Sequence, residues 1–518
     1  MNQNNIKWPS IFLLILAGVW LLASVEGVYY IMKMKNKNDS ISISHQIKPL
    51  LYDSTKVIDQ LKYYVNELAT NDSMQHGSFG FCLVTADSGK IILEQNSDIS
   101  LVPASALKMV TTGLALKIAG TGFSFRTTLQ YSGTINPSTR TLNGNIYIRG
   151  SGDPTLGSVE YGTNTYSTIL KRWFTSIHAL GIDSINGAII ADDEIFDYDL
   201  VPGGWAWEDV EMSYGAAPSG LSFRDNLYDI QVRITKNTIQ AKVEPYIPGL
   251  LTKNSIIYNP KIYNSYVFAA GPPFISERLL RGEIKYAGTY KAPMPDPAFF
   301  CAYSLYSYLK NNGINVSDSA STTRKTKIKN TYSNPERKTI ATTYSPSLSE
   351  IVYRTNHLSQ NMYAETLLKL IAVMKKTAGT TIAGVKEVNN YWKDRNIDLR
   401  GFHMVDGSGL SRANSVTAKQ LTHFLVAFHN DSAIFSSFYR SLPIYGTYVN
   451  GAKPRTISAL NIHAKGGYMS RVRSLTGYAY NKNGKLLAFT IIINNSEFKG
   501  FTLMERIDRI LTLISKLE

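Results

Sequence analysis

At 518 residues the chain is long enough for roughly two to four domains with sizeable cores. Its 44% hydrophobic and 18% charged residues exclude a disordered chain, and two cysteines exclude both a disulfide scaffold and a cysteine-rich zinc site. The net charge of +15 suits an anionic polymer or surface. No dense Lys/Arg stripe or zinc-finger spacing accompanies that charge, so nucleic acid is not the expected partner.

Residues 8–25, WPSIFLLILAGVWLLASV, are uncharged and mostly apolar. Their length suits a long signal peptide or one membrane-spanning helix. Ala23 and Gly27 are small but make no clean cleavage signature. Lys33, Lys35 and Lys37 follow the run while only Lys7 precedes it, which leaves its orientation unset. We expect residues 1–32 to be an N-terminal signal or anchor segment, read as uncleaved, with 33–50 a polar tether and the body exported.

Lys56 to Leu68 has helical patterning, and FGFCLVTADSGKIILEQNSD predicts two strands around an Asp87-Ser88-Gly89 turn. Cys82 lies in the apolar run FGFCLV and is expected to be a buried free thiol. Next comes SALKMVTTGLALKIAG. Leu107, Val110, Leu114 and Ile118 form a core-facing helical stripe, with Ser105, Lys108 and Thr112 opposite it. Pro103 and Gly120 are suitable boundaries. A hydroxyl and an amine are thus stacked as in Ser-x-x-Lys nucleophilic catalysis. The same spacing recurs at Ser307–Lys310 and Ser496–Lys499, so it is not decisive alone.

From Phe125 to Phe300 short β-type runs alternate with Gly, Asn and Pro turns, which predicts one or two mainly β modules inserted at 125–299. Gly150 to Leu156, GSGDPTL, has no following lysine or phosphate-loop helix and reads as a structural turn. The aromatic run PGGWAW follows at 202–207, and 323–338 resembles a basic surface connection. Helical patterning resumes at Ser347–Thr355. Ser359 and Asn361 come next, two apart, so in an extended segment both side chains can face one way. Taken alone, a helix N-cap is the better explanation of the pair. The following helix has Met362, Leu367, Leu370 and Met374 as core candidates. Asp406 to Arg412, DGSGLSR, reads as a polar turn before a helix at Thr417–His429. Lys465-Gly466-Gly467 leads into a hairpin around Asn483-Gly484. A last amphipathic helix presents Leu503, Ile507, Ile510 and Ile514. Strands from both ends of the body would complete one antiparallel sheet with helices against it, built from 51–124 and 300–518.

Ser105-x-x-Lys108, Ser359-x-Asn361 and Lys465-Gly466-Gly467 occur in the order of the motif set shared by penicillin-binding proteins and class A β-lactamases. With GSGDPTL, PGGWAW, YAETLLK and DGSGLSR they resemble one subgroup across roughly residues 55–515. These are the low-molecular-mass class C penicillin-binding proteins, the D-alanyl-D-alanine carboxypeptidase/endopeptidases.

The resemblance implies an α/β (α+β) fold of the serine β-lactamase/DD-peptidase type. It also implies a place in the bacterial periplasm or cell envelope, with peptidoglycan stem peptides and β-lactams as partners and no cofactor, metal or nucleic acid. Ser105 would attack the D-Ala-D-Ala carbonyl or a D-Ala cross-link, with Lys108 as general base. Ser359 would relay a proton to the leaving amine, Asn361 would hold the substrate amide, and Lys465 would help orient the carboxylate or tune the proton network. Gly466 and Gly467 would line the substrate strand. The Ser105 N–H and one from that strand would form the oxyanion hole. Asp192, beside Asp193, would read the amine of the stem peptide's third residue. One departure is plain: Gly466 stands where this family commonly has threonine, so a hydroxyl for the substrate carboxylate is missing. A catalytically impaired wall-binding scaffold of the same fold is the alternative. A Ser-His-Asp hydrolase lacks its G-x-S-x-G elbow here.

Overall fold

The computed structural model describes residues 56–235, 238–447 and 454–518. The expected anchor at 1–32 and tether at 33–50 lie outside the described residues. Among those described, no helix is long and apolar enough to cross a membrane.

The chain opens with helix α1 (Val57–Thr70), followed by strands β1 (Ser78–Thr85) and β2 (Ile91–Gln95). A 3-10 turn at Ala104–Leu107 then runs into helix α2 (Lys108–Ala119). After a long excursion come α3 (Leu348–His357), α4 (Asn361–Met374) and α5 (Ala418–His429). The body ends with β3 (His463–Met469), β4 (Val472–Tyr480), β5 (Leu486–Asn494) and α6 (Gly500–Lys516). The five strands form one antiparallel sheet in the order β2-β1-β5-β4-β3. Strands from the two ends of the body therefore meet where β1 pairs with β5.

Alternation along β1 shows how that sheet is buried on both faces. Cys82 and Val84 enter a core shared with α2, α3, α4 and α5, while Phe79, Phe81 and Leu83 enter a second core beneath α1 and α6. Leu503, Ile507, Ile510 and Ile514 close that second core, as their helical spacing requires. Cys82 and Cys301 are free and buried, and burial pushes the Cys82 thiol up to about 12.

Helix α2 is not the two-faced helix expected from its pattern. Every residue from Lys108 to Leu116 is buried, polar ones included. Thr112 bonds back to the Lys108 carbonyl at 2.8 Å and accepts from Asn356 of α3, so it serves helix packing rather than the serine–lysine pair. Gly113 lets the Phe428 ring of α5 press onto the helix: a Cβ there would lie 2.4 Å from the ring. Gly113→Ala is therefore expected to lower stability by about 1–3 kcal/mol through overpacking, outweighing its helix-propensity gain. Thermal unfolding of the variant beside the parent checks this.

The excursion has its own core, running from Leu129 to Ala320. A five-stranded mixed sheet, ordered Ser321–Thr322, Ile189–Asp192, Ile146–Arg149, Arg126–Tyr131 and Lys338–Tyr344, carries it. Two three-stranded sheets lie between residues 227 and 293. Two helices, Tyr166–Ala179 and Pro297–Asn311, accompany these strands; the second spans the expected junction at 299/300. The basic stretch after Thr322 forms ion pairs rather than a free connection, with Arg324 on Asp296 and Arg337 on Asp192.

Candidate active site

Ser105 sits in the 3-10 turn that opens α2, behind Ala104, a buried residue with φ of +47°. Such a conformation costs an L-residue about 1–3 kcal/mol and persists only where the surroundings enforce it. Here they do. Strand β3 packs so closely on the turn that a Cβ on Gly467 would lie 2.6 Å from the Pro103 carbonyl and 2.9 Å from the Ala106 nitrogen. From the other side Gly409, at φ +79°, leaves room for the Ala104 carbonyl, which a Cβ would meet at 2.0 Å. The Ser474 hydroxyl also donates to the Pro103 carbonyl.

Lys108, three residues on, is wholly buried with its Nζ at the centre of the site. Nζ lies 3.0 Å from Ser105 Oγ, 2.6 Å from Asn361 Oδ1 and 2.7 Å from the Ser408 carbonyl. The last two atoms can only accept. In a neutral amine they take both N–H bonds, leaving the lone pair for the Ser105 hydroxyl. Burial pulls Lys108 down to about 7, with the charges of Asp406 and then Glu365 opposing that shift. The base form therefore accumulates as pH rises through about 7. Acylation of Ser105 is expected to lose rate as pH falls below that value, as pH-resolved acylation rates will show.

Ser359 and Asn361 are not caps. Gln360 holds the N-cap position of α4 with no side-chain bond to the helix, and Ser359 takes a left-handed φ of +53°. Asn361 instead bonds Lys108 through Oδ1 and donates from Nδ2 to the Tyr214 carbonyl at 3.0 Å. Tyr214 in turn donates its hydroxyl to Asp209 at 2.9 Å. Lys465, on β3, reaches Ser359 Oγ at 3.1 Å and the Gly466 carbonyl at 3.0 Å. Burial and the neighbouring Lys108 hold its amine well below the ordinary lysine value.

The structure thus brings Ser105, Lys108, Ser359, Asn361, Lys465, Gly466 and Gly467 together, but not Asp192. That carboxylate ends a strand of the excursion, is buried, and is held by Arg337 at 2.5 Å and the Glu194 backbone. An arginine already matches its charge, so it is poorly placed to read an amine. Among the described residues no cluster of His, Cys, Asp or Glu is arranged to hold a metal.

Several supporting residues went unassigned from sequence. Asp406, fully buried, accepts from the Gly409 and Ser411 backbones, Asn414 Nδ2 and the Trp205 indole, each at 2.7–2.8 Å. Glu365 holds the adjoining Gly407 and Ser408 N–H groups. Their signal was the Asp-Gly-Ser-Gly run itself, since paired glycines around a polar residue mark a loop pressed against other backbone. Trp205 explains the PGGWAW run.

A serine hydroxyl facing a buried lysine, beside an antiparallel sheet flanked by helices, is an arrangement suited to a serine hydrolase. Residues 61–514 match the D-Ala-D-Ala carboxypeptidase 3 (S13) family, and the chain belongs to that family. It is 25% identical to the D-alanyl-D-alanine carboxypeptidase of Actinomadura sp. (strain R39), over 86% of this chain and 83% of that one. It is 23% identical to the D-alanyl-D-alanine carboxypeptidase DacB of Haemophilus influenzae, over 80% and 85%. The crystal structure of penicillin binding protein 4 (dacB) from Haemophilus influenzae shares the fold, with a TM-score of 0.73 at 18% identity over 89% of this chain and 99% of that one.

Proposed function

We propose that this serine D-alanyl-D-alanine carboxypeptidase works through an acyl-enzyme on Ser105, with neutral Lys108 as general base. The observation that carries this is the buried Lys108 Nζ, 3.0 Å from Ser105 Oγ, with its other two contacts both acceptors. Ser105 Oγ gives its proton to Nζ and bonds to the scissile carbonyl carbon. The proton then passes to the leaving D-alanine amine through Ser359, which Lys465 holds. Water repeats the sequence to release the acyl group. The Ser105 N–H and one from β3 form the oxyanion hole, consistent with the close packing of Gly467 on the turn.

Peptidoglycan stem peptides are the substrates and β-lactams the inhibitors. One structure of the Haemophilus influenzae penicillin binding protein 4 is itself complexed with a β-lactam. The envelope is the place of action, with residues 1–32 as signal or membrane anchor, and D-Ala cross-links are cleaved besides free termini. Intact-mass analysis after exposure to a penicillin tests the core of this reading. A stoichiometric adduct on the parent, absent from Ser105→Ala, is expected; a folded parent that takes no adduct would overturn it.

Gly466 bears on the balance of the two activities. Its missing hydroxyl removes a contact to the free carboxylate of a terminal D-Ala, worth about 1.5–3 kcal/mol. Cross-link cleavage, with its larger leaving group, is then relatively favoured. A Cβ at Gly466 would meet nothing closer than 3.9 Å, so the backbone leaves room for a side chain to begin there. Gly466→Thr is expected to raise carboxypeptidase turnover about 10-fold or more, by that contact energy. Release of D-alanine from a pentapeptide measures it, and unchanged turnover would remove the argument.

A further inference from the structure

Glu365 takes no part in the chemistry above, yet it is a wholly buried carboxyl group one helical turn beyond Asn361 on α4. Residues four apart on a helix share a face, and both of these act on Lys108. Asn361 does so directly. Glu365 does so through backbone: its oxygens accept the Gly407 N–H at 2.9 Å and the Ser408 N–H at 2.7 Å. Ser408 then presents its carbonyl to Lys108 Nζ at 2.7 Å, while Thr111 of α2 holds the Gly407 carbonyl at 2.7 Å. A Cβ on Gly407 would lie 2.8 Å from the Ala364 carbonyl and 2.9 Å from Leu368 Cβ. Glycine therefore lets this loop press onto the turn of α4 that carries Glu365.

We propose that Glu365 is a positioning residue for acylation: it holds the Ser408 carbonyl on Lys108 and places a buried, titratable carboxyl group beside it. This rests on Lys108 being the base for Ser105. The groups facing Lys108 are Ser105 on its own turn, Asn361 and Glu365 from α4, Asp406 from the loop, and Lys465 from β3. The two carboxylates favour the ammonium form and Lys465 opposes it. Burial, and next the charge of Asp406, raise the Glu365 carboxyl. Protons on Glu365 and Lys108 are consequently linked, and the acid limb of the rate profile belongs to the cluster rather than to one residue.

The test is the rate of Ser105 acylation by a penicillin against pH, with reactive sites counted by adduct mass, for the full chain and two variants. Glu365→Gln keeps the volume and removes the titratable group. Its acid limb is expected to move to lower pH by up to about one unit, with a plateau roughly 10–100-fold lower because the base is less well held. An unmoved limb in folded, adduct-forming Glu365→Gln would overturn the proposal and leave Glu365 as a loop anchor. Should that variant not fold, Glu365→Asp decides: a carboxyl kept but drawn back should give the parent's limb with a lowered plateau. A parental plateau there overturns the proposal. If the parent chain itself takes no adduct, the fault lies with the Ser105–Lys108 reading instead.

Discussion

Lys108→Met is expected to slow acylation of Ser105 by about 10²–10⁴-fold, the range that a positioned general base supplies. Methionine fills a site that is entirely buried, so the change removes an amine rather than opening a cavity. Two acceptors, Asn361 Oδ1 and the Ser408 carbonyl, lose their donor. Each would cost about 1–3 kcal/mol if left unpaired. Against this, the desolvation that depresses Lys108 disappears with the amine. A folded variant of somewhat reduced stability is therefore the expected product, and its circular dichroism should match the parent. The time course of adduct formation by intact mass gives the rate directly. Near-parental rates would transfer the base role to Lys465, the other buried amine of depressed basicity. Lys465→Met, measured alongside, separates the two. It should act chiefly on the step that protonates the leaving group, through Ser359.

How far the sequence foretold this site depends on how far apart the partners are. Ser105 and Lys108 are three residues apart, and helical geometry alone stacks their side chains. Strands at both ends of the body pointed to one antiparallel sheet, and the pairing of β1 with β5 is where the two ends meet. Asn361 was ambiguous because its Oδ1 is claimed by Lys108, a residue no local rule connects to it. Sequence alone assigns Glu365 and Lys369 no role. Both are fully buried, one against the Gly407 and Ser408 backbone, the other against Asp197 and the Asp199 carbonyl. Met374, expected in the core, is 38% exposed because it ends the helix. Asp192 is the complementary case: a bare acidic pair in sequence says nothing of Arg337, which pairs with it in the fold.

Asp406→Ala is expected to lower stability by about 3–5 kcal/mol, the range for removing one partner of a buried charged network. Four donors converge on this carboxylate, two of them backbone N–H groups of its own loop. All four lie where water cannot readily replace the lost acceptor. The Trp205 indole makes the loss reach beyond the loop, since it brings the excursion's PGGWAW run onto the catalytic core at 2.8 Å. Trp205→Phe removes only that donor and should cost about 1.5–3 kcal/mol, the range for a hydrogen bond to a charged group. Asp406→Asn keeps two of the acceptor directions and should fall between. Because Trp205 and Asp406 touch, their effects should not add; a double-mutant cycle read from urea midpoints should return a coupling of at least about 0.5 kcal/mol. Additive losses would mean that the indole contact holds the excursion in place without stabilising the loop. Activity should fall with Asp406→Ala beyond what the unfolded fraction explains, because the same loop carries the Ser408 carbonyl to Lys108.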